Sequence, residues 1–80
     1  MLSVKLFAKA RDLAGCSEVR IPWTSGLTVS SLRQRLAEIH PALGTLLPRL
    51  LIAVNNDYAG EHQTIEPTDE VACFPPVSGG

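Results

Sequence analysis

The residues of this chain best suited to chemistry stand at its end, Phe74-Pro75-Pro76-Val77-Ser78-Gly79-Gly80. Two consecutive prolines forbid a continued central strand and favour the extended polyproline form, which carries a tail off a domain at low entropic cost. From Pro75 to Gly80 such an arm reaches on the order of 20 Å. Gly79 and Gly80 lack side chains, so this end can thread a channel too narrow for any other residue type. The group it presents is the carboxylate of Gly80, ionised at neutral pH because α-carboxyl groups titrate near about 3.3–3.7.

Other chemistry is thinly supplied. Cys16 and Cys73 stand far apart with no CxxC, too few for a disulfide framework. Cys73 lies in a strand-like run and reads as a small buried hydrophobe. Cys16 follows Gly15 in a turn. His40 and His62 lack the spaced partners that zinc requires, so no metal site is expected. Gly15, Gly26, Gly44 and Gly60 are scattered and form no phosphate loop. Asp69 and Glu70 are adjacent in a strand-like run, so they point to opposite faces and make a poor acid–base pair. No catalytic set is expected within the domain.

The elements that must carry the tail are well signalled. Leu2, Val4, Leu6 and Ala8 alternate with Ser3, Lys5, Phe7 and Lys9, which predicts a half-buried strand. Asp12 to Cys16 reads as a short helical turn closed by glycine, and Glu18-Val19-Arg20-Ile21 as a second strand. Pro22 limits that strand to an edge or an ending. Trp23 is expected to cap the core. Thr28 reads as a helix N-cap, and Val29, Leu32, Leu36, Ile39 and Leu43 as one apolar stripe, with Ser30, Arg33, Gln34, Arg35 and Glu38 off it. Pro41 should stop that helix near His40. Residues 41–50 read as loop or a short helical piece.

Leu50 to Val54 predicts a buried strand ended by the turn former Asn55-Asn56-Asp57. Pro67-Thr68-Asp69 reads as a turn and Glu70 to Phe74 as the last strand. This order predicts an α+β roll of the β-grasp, ubiquitin-like type, with a mixed sheet and one main helix on one face. The first and last strands should lie parallel at the centre. The expected division is a domain over 1–74 and a flexible extended tail over 75–80.

Composition agrees with a single small folded domain. The 80 residues are 45% hydrophobic and 19% charged, inside the globular range. No apolar run approaches the ~20 residues of a membrane span, and the N-terminus lacks the pattern of a signal peptide, so a cytoplasmic protein without membrane contact is expected. A net charge of −1 disfavours nucleic acid as a partner. The charge is uneven: all seven basic residues precede position 51, whereas Asp57, Glu61, Glu66, Asp69 and Glu70 follow it unaccompanied. An acidic face around the C-terminus would suit a basic partner.

Taken together these segments resemble the MoaD/ThiS-type ubiquitin-like sulfur carriers, most closely the molybdopterin synthase branch. The resemblance rests on Val4-Lys5-Leu6-Phe7-Ala8, Ala10-Arg11-Asp12-Leu13-Ala14-Gly15, Thr28-Val29 with Leu32-Arg33, and Ala53-Val54-Asn55. Its most specific part is Asp69-Glu70-Val71-Ala72, then Phe74 to Gly80. One departure is Pro67-Thr68-Asp69, where the family usually has a glycine before the aspartate. Cys73 likewise replaces a bulkier apolar residue.

The resemblance implies a carrier subunit rather than a free-standing enzyme, with no cofactor bound by the fold. An ATP-dependent activating enzyme would convert the Gly80 carboxylate to an acyl-adenylate, and a sulfur donor would displace AMP to leave a thiocarboxylate. The tail would then enter a large subunit, in a heterotetramer of two small and two large chains, and pass sulfur to cyclic pyranopterin monophosphate. Alternatives within the fold are a carrier for tRNA thiolation or thiamin, a protein modifier, or a plain interaction module. The Pro-Pro tail favours the molybdopterin branch.

Alternation also suggests where such partners dock. Phe7 falls on the polar face of the first strand and Phe74 on the face away from Val71 and Cys73, so both are expected beside the root of the tail. Tyr58 is expected to join them. Aromatics exposed together mark partner surfaces.

Overall fold

A computed structural model describes residues 1–76. Its elements are β1 (Leu2–Leu6), α1 (Ala8–Ala14), β2 (Glu18–Ile21), α2 (Val29–Ile39), two single turns of 3₁₀ helix (Pro41–Leu43 and Leu47–Arg49), β3 (Leu51–Val54), β4 (Asp57–Tyr58) and β5 (Val71–Phe74). The strands form one mixed sheet in the order β2-β1-β5-β3-β4. As the β-grasp element order predicts, β1 and β5 are parallel neighbours inside it, with Val4 beside Val71 and Leu6 beside Cys73. The other pairings are antiparallel. This is the β-grasp roll.

The core lies between the sheet and α2. Leu2, Val4 and Leu6 of β1, Val71 and Cys73 of β5, and Ile52 and Val54 of β3 turn inward and are buried. They meet Val29, Leu32 and Leu36 of α2, with Leu27, Leu43, Leu47, Leu50 and Ile65 closing the sides. At the start of α2 the Thr28 Oγ1 accepts from the Ser31 amide at 3.2 Å. The free first-turn amides of Val29 and Ser30 donate to the carbonyls of Gln63 and Glu61. Trp23 packs against the core and its Nε1 donates to Ile65 O at 2.7 Å, the cap expected of it.

Several expectations are corrected. The strand ends at Leu6, and Ala8 opens a seven-residue helix, so Lys9 is helical and does not share the strand face. Gly15, left-handed at φ 76°, closes that helix by donating to Arg11 O. Ile39 belongs to the apolar stripe yet is 45% exposed, because α2 ends there. Leu43 is buried through the following 3₁₀ turn and not through the helix. Strand β4 carries no alternating pattern. It forms because Asn55 and Asn56 both take positive φ, 54° and 69°, and reverse the chain tightly. The edge position of β2 and its stop before Pro22 are as expected.

Candidate functional site

The outer face of the sheet, opposite α2, carries a shallow hollow of about 380 Å³. Its walls include Lys5, Phe7, Tyr58, Glu70 and Phe74, and the small side chain of Ala72 leaves room between them. Strand alternation explains the membership. Because Val71 and Cys73 point into the core, Ala72 and Phe74 point out. Lys5 lies beside Ala72 in the parallel register and shares that face.

Each aromatic reaches the hollow by a different local device. Phe7 is the first residue past β1; its extended backbone, φ −126° and ψ 152°, caps α1, and its amide donates to Cys73 O at 3.1 Å. It is 47% exposed. Tyr58, 71% exposed, is set opposite Ala53 by the two-asparagine turn. Its ring lies 5.7 Å from that of Phe74, tilted by 49°, a favourable aromatic arrangement. Phe7, Tyr58 and Phe74 are thus brought together on one outer face; alternation points to Phe7 and Phe74, whereas Tyr58 arrives through the turn before β4. Pro75 and Pro76 follow Phe74 directly, the first half-buried and the second exposed. Val77, Ser78, Gly79 and Gly80 lie outside the described residues.

The charges are arranged otherwise than a uniform acidic face. Glu61 is paired at 2.9 Å with Arg33 of α2, on the helix side of the domain. Asp69 is structural: one carboxylate oxygen accepts from the Glu66 amide at 2.8 Å and the other from Asn55 Nδ2 at 3.0 Å. Of the five C-terminal acids Glu70 lines the hollow, where Lys5 accompanies it. The site is aromatic with mixed charge. Sequence reasoning missed Lys5 as a wall, although its place two residues before Phe7 in an alternating strand signals it.

Of the two cysteines, Cys73 is fully buried beneath the hollow and its thiol is pushed up to about 12 by burial. Cys16 is half-buried against the core. Among the described residues no helix is long and apolar enough to cross a membrane, and no three His, Cys, Asp or Glu are grouped to hold a metal ion.

The mixed five-stranded sheet packed on α2 places the domain in the class of small ubiquitin-like β-grasp proteins. The ThiS family model matches residues 4–80, and the chain belongs to that family. It is 32% identical to a molybdopterin synthase sulfur carrier subunit of Arabidopsis thaliana, over 99% of this chain and 82% of that one. It is 35% identical to the subunit of the same name from Escherichia coli K12, over the full length of both. The crystal structure of SAMP1 from Haloferax volcanii superimposes with a TM-score of 0.87 at 31% identity, covering 99% of this chain and 98% of that one.

Proposed function

We propose that this chain is the sulfur-carrier subunit of a molybdopterin synthase, and that Gly80 is the one residue used covalently. The observation that carries this reading is the joining of Phe7, Tyr58 and Phe74 into one outer-face hollow at the root of the Pro75-Pro76 arm. Full-length similarity to carrier subunits of that name supports it.

The chemistry follows from the terminus. An ionised carboxylate is a poor electrophile, so its oxygen first attacks the α-phosphorus of ATP on an activating enzyme, and pyrophosphate leaves. Sulfur at the sulfide level then attacks the acyl carbon of the adenylate; the bond to AMP breaks and AMP departs with the electron pair. The resulting thiocarboxylate is a nucleophile at neutral pH. Its sulfur bonds to a carbon of the pterin precursor as the oxygen on that carbon leaves with the electron pair, and water then cleaves the acyl–sulfur bond and regenerates the Gly80 carboxylate. The domain's part is to dock, through its aromatic face, first on the activating enzyme and then on the large subunit that holds the pterin. Buried aromatic anchors suit that task.

Intact-mass measurement after co-expression with an activating enzyme tests the reading. The expected product is heavier by the exchange of one oxygen for sulfur, and a chain lacking Gly80 stays unmodified. A chain without Gly80 that still supports molybdopterin formation would overturn it. A second reading, a protein modifier, is favoured by the match to the small archaeal modifier protein 1 of Haloferax volcanii, at 34% identity. It predicts adducts in which Gly80 is amide-linked to lysines of other proteins.

A further inference from the structure

Strand β2 borders the sheet, and no strand of the described residues pairs with its outer side. The Leu6 amide donates to Ser17 O at 2.8 Å, so the hydrogen-bonded pairs of the β1–β2 ladder are Leu6 with Ser17 and, by alternation, Val4 with Val19 and Leu2 with Ile21. The N–H and C=O groups of Glu18 and Arg20 therefore point away from β1. Among the described residues no turn, loop or cap bond uses them. Both side chains are exposed, while Val19 and Ile21 turn to the core.

That border specifies its own complement. An antiparallel strand centred on Val19 needs a base opposite Glu18 and an acid opposite Arg20. Such a strand runs in reverse, so from its N-terminus it must read acid, any residue, base. Glu18-Val19-Arg20 is that sequence. A two-fold axis through Val19 sets Glu18 against Arg20 twice, and each pair exchanges both backbone hydrogen bonds.

A second feature lies on the same flank. Ile39, the exposed member of the apolar stripe, lines a hollow with Pro22 and Arg35, and Pro22 directly follows β2. An axis perpendicular to the sheet keeps both copies of α2 on one side. It brings the two Pro22 residues within about 10 Å of it, so the Ile39 flanks come to sit beside the junction.

We propose that β2 is a self-association edge, through which two copies join antiparallel into one continuous sheet. Residues of β2 line none of the aromatic hollow, so the pair leaves both hollows open on one face of the joined sheet. The border is short, and half-association falls on the order of 100 μM to 1 mM.

Sedimentation equilibrium of the full chain across that range is the test. The wild type is expected to double in mass with concentration, and the amides of Glu18 and Arg20 to shift in NMR spectra over the same range. Glu18→Arg and Arg20→Glu, each alone, place like charges across the axis and weaken association by about tenfold or more. Mixed in equal amounts, the two variants become complementary and associate again, as does the double variant. A wild type that stays monomeric with unmoved β2 amides would overturn the proposal; the charges then serve only to keep the edge unpaired. Single variants that associate as well as the wild type would also overturn it. If a variant misfolds, the wild-type mass and amide shifts decide alone.

Discussion

The amide of Phe7 donates to the carbonyl of Cys73 across 3.1 Å, one step beyond the last β1–β5 register pair. That bond fixes where Phe7 stands relative to Phe74 at the base of the tail. It also divides the roles of the two sides of β5. Cys73 faces the core while its neighbours Ala72 and Phe74 face the hollow.

A first prediction concerns Phe7. Its backbone carbonyl accepts from Ala10 and its amide bonds Cys73, contacts that alanine keeps. The side chain is half exposed and absent from the core. Phe7→Ala should therefore change the melting temperature by only a few degrees. It should weaken the complex with a molybdopterin synthase large subunit by at least about thirtyfold, the loss of one aromatic anchor. Calorimetry and titration binding check the two halves separately. A variant that unfolds would place Phe7 in the core.

Much of this was legible in the sequence, and the reason is periodicity. Leu2, Val4 and Leu6 announce both a strand and its buried face, and from that face the outward position of Phe7 follows even though it lies just past the strand. The same logic places Phe74. What was not legible depends on contacts far apart in the chain. Arg33 looks like an ordinary solvent-facing helix residue, yet it clamps segments 14, 17 and 28 positions away. The two-residue strand β4 has too few positions for any period. Ile39 fits the stripe but lies where the helix ends, and periodicity carries no information about an element's end. The charge asymmetry shows the same dependence on distant contacts: Arg33 of α2 pairs with Glu61, a partner that nothing local in the sequence announces.

Arg33 carries the second prediction. Its Nη1 donates to Leu47 O at 2.6 Å and Leu50 O at 2.8 Å, while Nε donates to both oxygens of Glu61. Removing it strands two partly buried carbonyls. Arg33→Met should destabilise the domain by about 2 kcal/mol, a fall of roughly 8–16 °C in melting temperature. Glu61→Gln should cost less than about 1 kcal/mol, because its side chain is about half exposed and the pair is screened by solvent. Differential scanning calorimetry compares them; equal losses would show that the ion pair, not the carbonyl clamp, matters.

The turn before β4 supports a third. Asn55 Oδ1 accepts from the Glu70 amide at 2.9 Å and its Nδ2 donates to Asp69, which anchors the start of β5. Asn55→Ala loses both bonds and holds an alanine at φ 54°, so a loss of about 1–2 kcal/mol is expected. Asn56 has no such side-chain bond to a described residue, and its φ of 69° suits glycine. Asn56→Gly should be neutral or slightly stabilising in urea denaturation. A greater loss at Asn56→Gly than at Asn55→Ala would refute the anchoring role.

The last prediction follows from the buried thiol of Cys73. Burial favours the neutral form and raises its pKa from 9.0 to about 12. In the unfolded chain the thiol titrates near the lower value, in the folded chain near the higher. Below pH 9 both states hold the proton, and the full stabilisation is present. Between pH 9 and about 12 the unfolded state has released it while the native state keeps it. Stability must then fall with rising pH, by up to about 1.4 kcal/mol per pH unit from this group. The chain should therefore lose stability steeply in alkali, whereas Cys73→Ala, weaker at neutral pH through its cavity, should show a shallower decline. Alkylation gives an independent reading: at pH 8 iodoacetamide should leave Cys73 unmodified in the folded chain and modify it once urea unfolds the domain. Equal alkaline slopes for the wild type and Cys73→Ala would show that the thiol does not govern the transition.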